Sequence, residues 1–215
     1  MWISCIFLIP VLFIPGTYGQ DCDLVNSVNS GTENPRVETS ISLTLEDEWY
    51  IDDAETAMGL DVWTNGGEIR IIFCDQVSCE LGSFNPITGV VVGAVPLDPS
   101  NTECFGVAFN NNPEKPFWYT NDCSDNCLYY TSDFTTWGTT PNPSAALGRG
   151  MDFDGNDYWQ TFGDSGVYRF QPGVEEEFID LPDVPGVMSG LAVFPYNGSL
   201  GIVVTCYESH IFYFY

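Results

Sequence analysis

The sequence predicts an all-β fold: a β-propeller of four blades, each of four antiparallel strands, closed by a strand from the N-terminal side. The first observation is a signature met four times, Gly59-Leu60-Asp61-Val62, Gly106-Val107-Ala108-Phe109, Gly150-Met151-Asp152-Phe153 and Gly190-Leu191-Ala192-Val193, with starts 47, 44 and 40 residues apart. The second is the cadence after each signature: a polar turn, an aromatic-rich strand, a short acidic or cysteine-bearing loop and another aromatic strand, as in a propeller blade. The third is composition. With 44% hydrophobic and 15% aromatic residues in 215, the chain is no disordered acidic polymer and suits one domain with a sizeable core.

The strands of each repeat are termed A to D. Repeat one offers strands at 60–63, 68–74, 80–84 and 89–97, rich in β-branched and aromatic residues. Repeat two offers 105–110, 117–120, 128–132 and a poorer fourth near 137–140, with turns marked by Asn111-Asn112-Pro113 and Pro141-Asn142-Pro143. In repeat three, 151–153 and 158–162 are joined by Asp154-Gly155-Asn156-Asp157, a strong hairpin signal, and 167–170 leads to 177–181. Repeat four runs 191–194, 201–206 and 211–215 and stops one strand short. The segment 37–45 alternates with period two and precedes a strand A, so it occupies a strand D register. Pairing it with 211–215 closes the ring and removes an apolar sheet edge. The other reading is the front part of a longer propeller that continues past Tyr215.

Residues 2–15 form a nearly uncharged apolar stretch, too short to span a bilayer, followed by Gly16-Thr17-Tyr18-Gly19, whose small residues suit cleavage before Gln20. The expected organisation is a secretory signal peptide at 1–19, an N-terminal segment at 20–36 and the propeller at 37–215, in a secreted or cell-surface protein. The leader departs from the usual pattern in lacking Lys or Arg before its apolar run. No other segment is apolar for long enough to be a membrane span.

Beyond the leader lie seven cysteines, Cys22, Cys74, Cys79, Cys104, Cys123, Cys127 and Cys206, an odd number that leaves at least one without an intramolecular partner. Cys74 and Cys79 flank the B–C turn of repeat one, and Cys123 and Cys127 occupy the same place in repeat two, so both pairs read as staples across a hairpin loop. Cys206 has either Cys22 or Cys104 as its partner, and the leftover thiol is available to join another chain. Disulfides are preferred to metal, because zinc sites use closer spacing with a second Cys or His pair and the one histidine is His210.

Thirty acidic residues face Arg36, Arg70, Lys115, Arg149 and Arg169, for a net charge of -25. Nucleic acid and anionic membranes need a basic patch, which makes nucleic acid a poor candidate partner and disfavours anionic membrane surfaces. The acidity suits solubility, a calcium-containing exterior or attraction of cationic partners. In propellers the B–C and D–A loops share one face around the channel mouth, and here they are acidic. The B–C turns carry Asp75, Asp122, Asp125, Asp164 and Glu208, and the D–A connections carry Glu46, Asp47, Glu48, Asp52, Asp53, Glu55, Asp98 and Glu103. Such a rim is either simply solvated or binds a cation, a basic protein or sugar hydroxyls. Asp61 and Asp152 share a register on the innermost strand, alternating with Ala108 and Ala192, which places them diagonally opposite in reach of a channel ion. Calcium there needs backbone carbonyls and water to complete six or more ligands, and no other cofactor is expected.

Several motifs carry no function. Gly163-Asp164-Ser165-Gly166 resembles the nucleophile segment of trypsin-like proteases but has no second histidine and falls on a B–C turn. Asp152-Phe153-Asp154-Gly155-Asn156-Asp157 begins like an EF-hand loop without its Gly, Glu or helices. Asn197-Gly198-Ser199 is a glycosylation sequon. Tyr129 to Trp137 resembles the Ser-x-Asp-x-x-x-Trp turn of sialidases, through Ser132, Asp133 and Trp137, with Thr135 replacing the usual Gly. In that family the turn is structural, and scattered arginines argue against a sialic acid site. A glycosidase needs two spaced carboxylates, and Asp61, Asp152 and Glu103 are candidates without being singled out as a pair.

Through the four strand starts and the Asp154-Gly155-Asn156-Asp157-Tyr158-Trp159 hairpin, residues 37–215 resemble secreted propeller repeat proteins of the broad NHL and YVTN type. The size is similar to four-bladed hemopexin-like domains, without their repeat signature. The resemblance implies a rigid non-enzymatic scaffold that binds an extracellular protein or carbohydrate on its loop face. The alternatives are a carbohydrate-active hydrolase and an extracellular assembly subunit that uses a sheet edge or the unpaired thiol.

Overall fold

A computed structural model describes residues 2–3, 19–22, 24–26, 41–44, 49–50, 56–65, 67–110, 117–174, 176–207 and 212–215. In chain order the strands are β1 (Trp2–Ile3), β2 (Gly19–Cys22), β3 (Leu24–Asn26), β4 (Ile41–Thr44) and β5 (Trp49–Tyr50). Blade 1 comprises β6 (Ala57–Asn65), β7 (Glu68–Asp75), β8 (Glu80–Phe84) and β9 (Val91–Pro96). Blade 2 comprises β10 (Cys104–Asn110), β11 (Phe117–Asp122), β12 (Cys127–Thr131) and β13 (Gly138–Pro141). Blade 3 comprises β14 (Met151–Phe153), β15 (Tyr158–Phe162), β16 (Gly166–Phe170) and β17 (Glu176–Asp180). Blade 4 comprises β18 (Met188–Tyr196), β19 (Ser199–Cys206) and β20 (Phe212–Phe214). Among the described residues the one helical turn is a short 3-10 segment, Ala145–Leu147, and no helix is long and apolar enough to cross a membrane.

Four four-stranded sheets form the ring of a four-bladed propeller, as the repeats predict. Blades 1 to 3 are antiparallel meanders, with strands running A to D outward. The closing strand of blade 4 differs from expectation. β3 pairs with β20 in parallel, Leu24 opposite Phe212, while β4, inside the segment 37–45, pairs instead with β2. Period-two alternation specifies a strand but not the edge that it joins, so the pattern alone points to the wrong N-terminal segment. The remainder of 37–45 lies outside the described residues, as does most of the leader.

The core lies between blades rather than within them. One buried cluster joins blades 1 and 2 (Ile72, Cys74, Leu81, Leu97, Cys104, Val107), with Phe134 and Trp137 packed against it. Ala108, Tyr119, Leu128, Met151, Tyr158 and Phe170 join blades 2 and 3. Trp159, Val167, Met188, Val193 and Val204 belong to the cluster joining blades 3 and 4.

The signature glycines explain how sheets pack this closely. A Cβ on Gly59 would sit 2.7 Å from the Gly106 Cα and from the Phe105 carbonyl oxygen. One on Gly150 would sit 2.7 Å from the Leu191 nitrogen, and one on Gly106 would collide with the Arg149 carbonyl. The inner strands of blades 1 to 3 therefore each rest on the backbone of the next. Gly190, in the last blade, instead meets its own sheet, at Thr205 Oγ1. The strand start also carries a bulge in blades 1, 2 and 4, which turns the chain from the loop into the sheet.

Gly59→Ala forces backbone apart and is expected to cost about 1–3 kcal/mol in urea unfolding, the usual range for overpacking. Gly93→Ala, where a Cβ meets nothing within 4 Å, serves as the control and is expected to leave the midpoint unchanged.

Candidate functional site

The two inner-strand carboxylates are clamps between blades. Asp61 accepts from its neighbour Val62 N–H at 2.6 Å and, with its other oxygen, from Phe109 N–H of blade 2 at 2.5 Å. Asp152 repeats the arrangement, accepting from Phe153 N–H at 2.7 Å and from Val193 N–H of blade 4 at 2.6 Å. In both cases the donor follows the alanine of the facing signature, Ala108 or Ala192, so the Asp/Ala alternation is an alternation of clamp and recipient. All four oxygens already accept a backbone N–H. Among the described residues no group of three or more His, Cys, Asp or Glu side chains is arranged to hold a metal ion.

Both acids sit deep in protein and resist ionisation. Burial, then the neighbouring charge of Asp152, holds Asp61 well above the ordinary carboxylate range. Asp152 is pushed up to about 6, chiefly by burial.

The loop face is stitched by a hydrogen bond that recurs in every blade. The B–C turn donates a backbone N–H to the D–A connection from Gln76 to Thr56, Cys123 to Glu103, Gly163 to Leu147 and Tyr207 to Val187, at 2.9–3.1 Å. A second set runs from the D side back to the turn: Leu97 to Cys79, Asn142 to Asn126 and Leu181 to Ser165.

The predicted rim acids divide into two kinds. Asp75 and Asp122 are buried and brace the loops. Asp75 Oδ1 accepts from Thr56 N–H and Val77 N–H at 3.1 and 3.0 Å. Asp122 accepts from Thr102 N–H at 2.6 Å, from Glu103 N–H at 3.2 Å and, on its other oxygen, from Ser124. Burial alone would raise Asp122, but these hydrogen bonds outweigh it and hold its carboxyl below the ordinary value. Asp125 closes its own turn on Cys127 N–H and takes the Tyr129 hydroxyl at 2.7 Å. Glu103 and Asp164, by contrast, are exposed on the face, as is Asp183 on the connection from blade 3 to blade 4, an acid that the sequence reading does not single out. Asp98 accepts from Ser100 N–H within its loop. Glu46, Asp47, Glu48, Asp52, Asp53, Glu55, Glu208 and His210 lie outside the described residues.

The strand registers do not set either hairpin pair opposite one another. Cys74 stands opposite Leu81 in the β7–β8 register rather than opposite Cys79, and its side chain enters the core between blades 1 and 2. Cys79, at φ 54, turns its thiol to the Gln76 carbonyl. In blade 2, Asn121 pairs with Leu128, which sets Cys127 across from Asp122 and not from Cys123. The Cys123 thiol donates to Glu103 Oε2 at 3.1 Å, and burial followed by this acid raises its pKa to about 12. Cys206 is buried in the core between blades 3 and 4, away from Cys104, and donates to the Pro185 carbonyl. Cys22 lies on β2, and its side chain is outside the described residues.

One feature of this face is not legible from acid counting. The Arg149 guanidinium stacks 4.9 Å from the Phe105 ring centroid and 5.9 Å from that of Tyr207. Phe105 and Arg149 each immediately precede a signature glycine, and that shared register is the sequence signal for them. The backbone of Arg149 is fixed from both sides: its carbonyl accepts from Asn121 Nδ2 and its N–H donates to Thr161 Oγ1.

The EF-hand-like and sialidase-like turns lie elsewhere and are structural. Asp154 Oδ1 accepts from Asn156 and Asp157 N–H and closes the A–B hairpin of blade 3. Asp133 Oδ1 accepts from Thr135 and Thr136 N–H and closes the C–D turn of blade 2, which packs Phe134 and Trp137 on the core.

No family model and no curated protein sequence matches the chain. Solved structures do. A catalytically inactive virginiamycin B lyase from Staphylococcus aureus, solved with quinupristin, superposes with TM-score 0.54 at 12% identity, over 83% of this chain and 59% of that one. A streptogramin B lyase gives 0.51 at 12% identity, over 79% and 57%. A chain of a nidogen/laminin complex gives 0.55 at 11% identity, over 76% of both. The shared feature is the β-propeller fold. This chain spans about three fifths of the lyase chains, and at such identity the likeness carries architecture alone.

The raised clamp acids make stability pH-dependent. The folded state holds the Asp152 proton more tightly than the unfolded state, so this contribution is full below about pH 4 and is lost as pH rises through about 6. Relative to Asp152→Asn, the wild type is expected to lose roughly 3 kcal/mol across that window, measured by urea unfolding at a series of pH values.

Proposed function

We propose that this chain is a secreted, non-enzymatic binding scaffold that engages a cationic protein through the face built from its B–C turns and D–A connections. The observation that carries this reading is the stitched rim. The same backbone hydrogen bond holds the loops in every blade, so exposed groups on that face are presented with little loop-ordering cost on binding. Those groups include Glu103, Asp164 and Asp183, on a chain of net charge -25, which steers a basic partner toward the face.

The rest of the chemistry favours binding over catalysis. The inner carboxylates are engaged in clamping strands, and the rim thiol of Cys123 is held protonated and therefore weakly nucleophilic. The apolar leader and the cysteine content support export. A propeller of matching span in a nidogen/laminin complex supports protein as the partner class.

The test separates position from net charge. Reversing Glu103, Asp164 and Asp183 to Lys is expected to weaken binding of a fluorescent poly-lysine probe more than tenfold. Reversing Glu68, Glu176 and Glu177, which follow A–B and C–D turns on the opposite face, is expected to change it less than threefold. Equal losses in the two triple variants would reject the loop face as the site. Fluorescence anisotropy at low and physiological salt reads both, and affinity is expected to fall as salt rises.

A further inference from the structure

Two thiols from different blades meet in the core between blades 1 and 2. Cys74, on β7, and Cys104, which opens β10, are 0% and 1% exposed and share one cluster with Ile72, Leu81, Leu97 and Val107. Their thiols are within hydrogen-bonding reach of each other. The backbones are close here as well, because Gly59 and Gly106, at the adjoining strand starts, allow the inner strands to touch. We infer that Cys74 and Cys104 form a disulfide that ties blade 1 to blade 2 when the chain folds under oxidising conditions.

The competing uses of these cysteines are less well supported by geometry. Cys79, the nearest alternative, directs its thiol to the carbonyls of Gln76 and Thr102, at 3.6 and 3.9 Å. Among the described residues no cluster that includes these thiols is arranged for a metal ion. A disulfide needs two sulfurs near one another on backbones already close together, and the Cys74 and Cys104 thiols are buried in one cluster and within hydrogen-bonding reach.

The oxidant is a small-molecule or protein disulfide, such as oxidised glutathione. One cysteine thiolate attacks it, forming a mixed disulfide and releasing one glutathione thiolate. The second cysteine thiolate attacks the protein sulfur of that bond and releases the other. Two S–H bonds are lost and one S–S bond is formed, and the two electrons and two protons end on two molecules of glutathione. In the folded protein the hydrogen bond with Cys74 and then burial hold the Cys104 thiol far above its ordinary pKa. Exchange therefore takes place before the interface closes, and the finished bond is shielded from reductant.

The experiment is to refold the whole chain in a glutathione redox buffer, block free thiols under denaturing conditions and map peptides by mass. The expected result is a peptide that joins Cys74 to Cys104, lighter than its reduced parts by two hydrogens, with Cys79 blocked. Blocked Cys74 and Cys104, or a bond from either to another cysteine, would overturn the inference. A second measurement compares thermal midpoints after refolding in the redox buffer and in reductant. The wild type is expected to lose more in reductant than the Cys74→Ala/Cys104→Ala double variant, and equal losses count against the bond. If the double variant does not fold, the mapping of the wild type decides alone.

Discussion

The packing of this ring depends on the contact of bare backbone with the next blade at the start of the inner strands of blades 1 to 3. Four sheets meeting around one axis leave little space, and a single methyl at Gly59 or Gly150 would overlap main-chain atoms of the next blade. With the glycines in place, the sheets are near enough for the side chains beyond them to interdigitate, and the buried clusters lie at the seams between blades. Polar side chains on the second strands of blades 2 and 3 then satisfy the amides at these strand starts. Asn121 takes Phe105 and Gly106 N–H, and Thr161 takes Arg149 and Gly150 N–H. Buried main-chain donors are rarely left unpaired, so these side chains belong to the packing as much as the glycines do.

The same economy governs the loop face. Its most conspicuous sequence feature is acidity, yet the acids on it do different work. Asp75 and Asp122 point inward and hold amides, which is why they are buried although they are charged residues in turns. Glu103, Asp164 and Asp183 point outward. Arg149, lodged against Phe105 and Tyr207, sets one positive charge and two rings into this negative surface. A face built this way presents charge on braced loops.

The architecture is legible in the sequence because its cause is local and repeated. A glycine followed by alternating apolar residues must recur wherever inner strands touch, and the hairpin at Asp154-Gly155-Asn156-Asp157 carries its own turn chemistry, with Gly155 at φ 98. The features that escape such a reading depend on register and on distant neighbours. Cys74 and Cys79 are close in sequence, but the β7–β8 pairing turns one into the core and leaves the other on the turn. The segment 37–45 alternates like a closing strand, yet β3 takes the edge of β20. The Asp61 and Asp152 alternation with alanine is visible in the sequence, while its meaning requires knowing that each carboxylate faces an amide on the following blade. Arg149 and Phe105 share a register before a signature glycine, but the contact with Tyr207 comes from another blade and leaves no such sign.

The Asp/Ala alternation also divides the ring. Asp61 joins blade 1 to blade 2 and Asp152 joins blade 3 to blade 4, whereas blade 2 reaches blade 3 through Asn121 Nδ2 and the Arg149 carbonyl. The carboxylate clamps thus group the blades in two pairs, one half-ring of blades 1 and 2 and one of blades 3 and 4. Cooperative opening in proteins follows such boundaries, so the half-ring, not the single blade, is the natural unit of local unfolding.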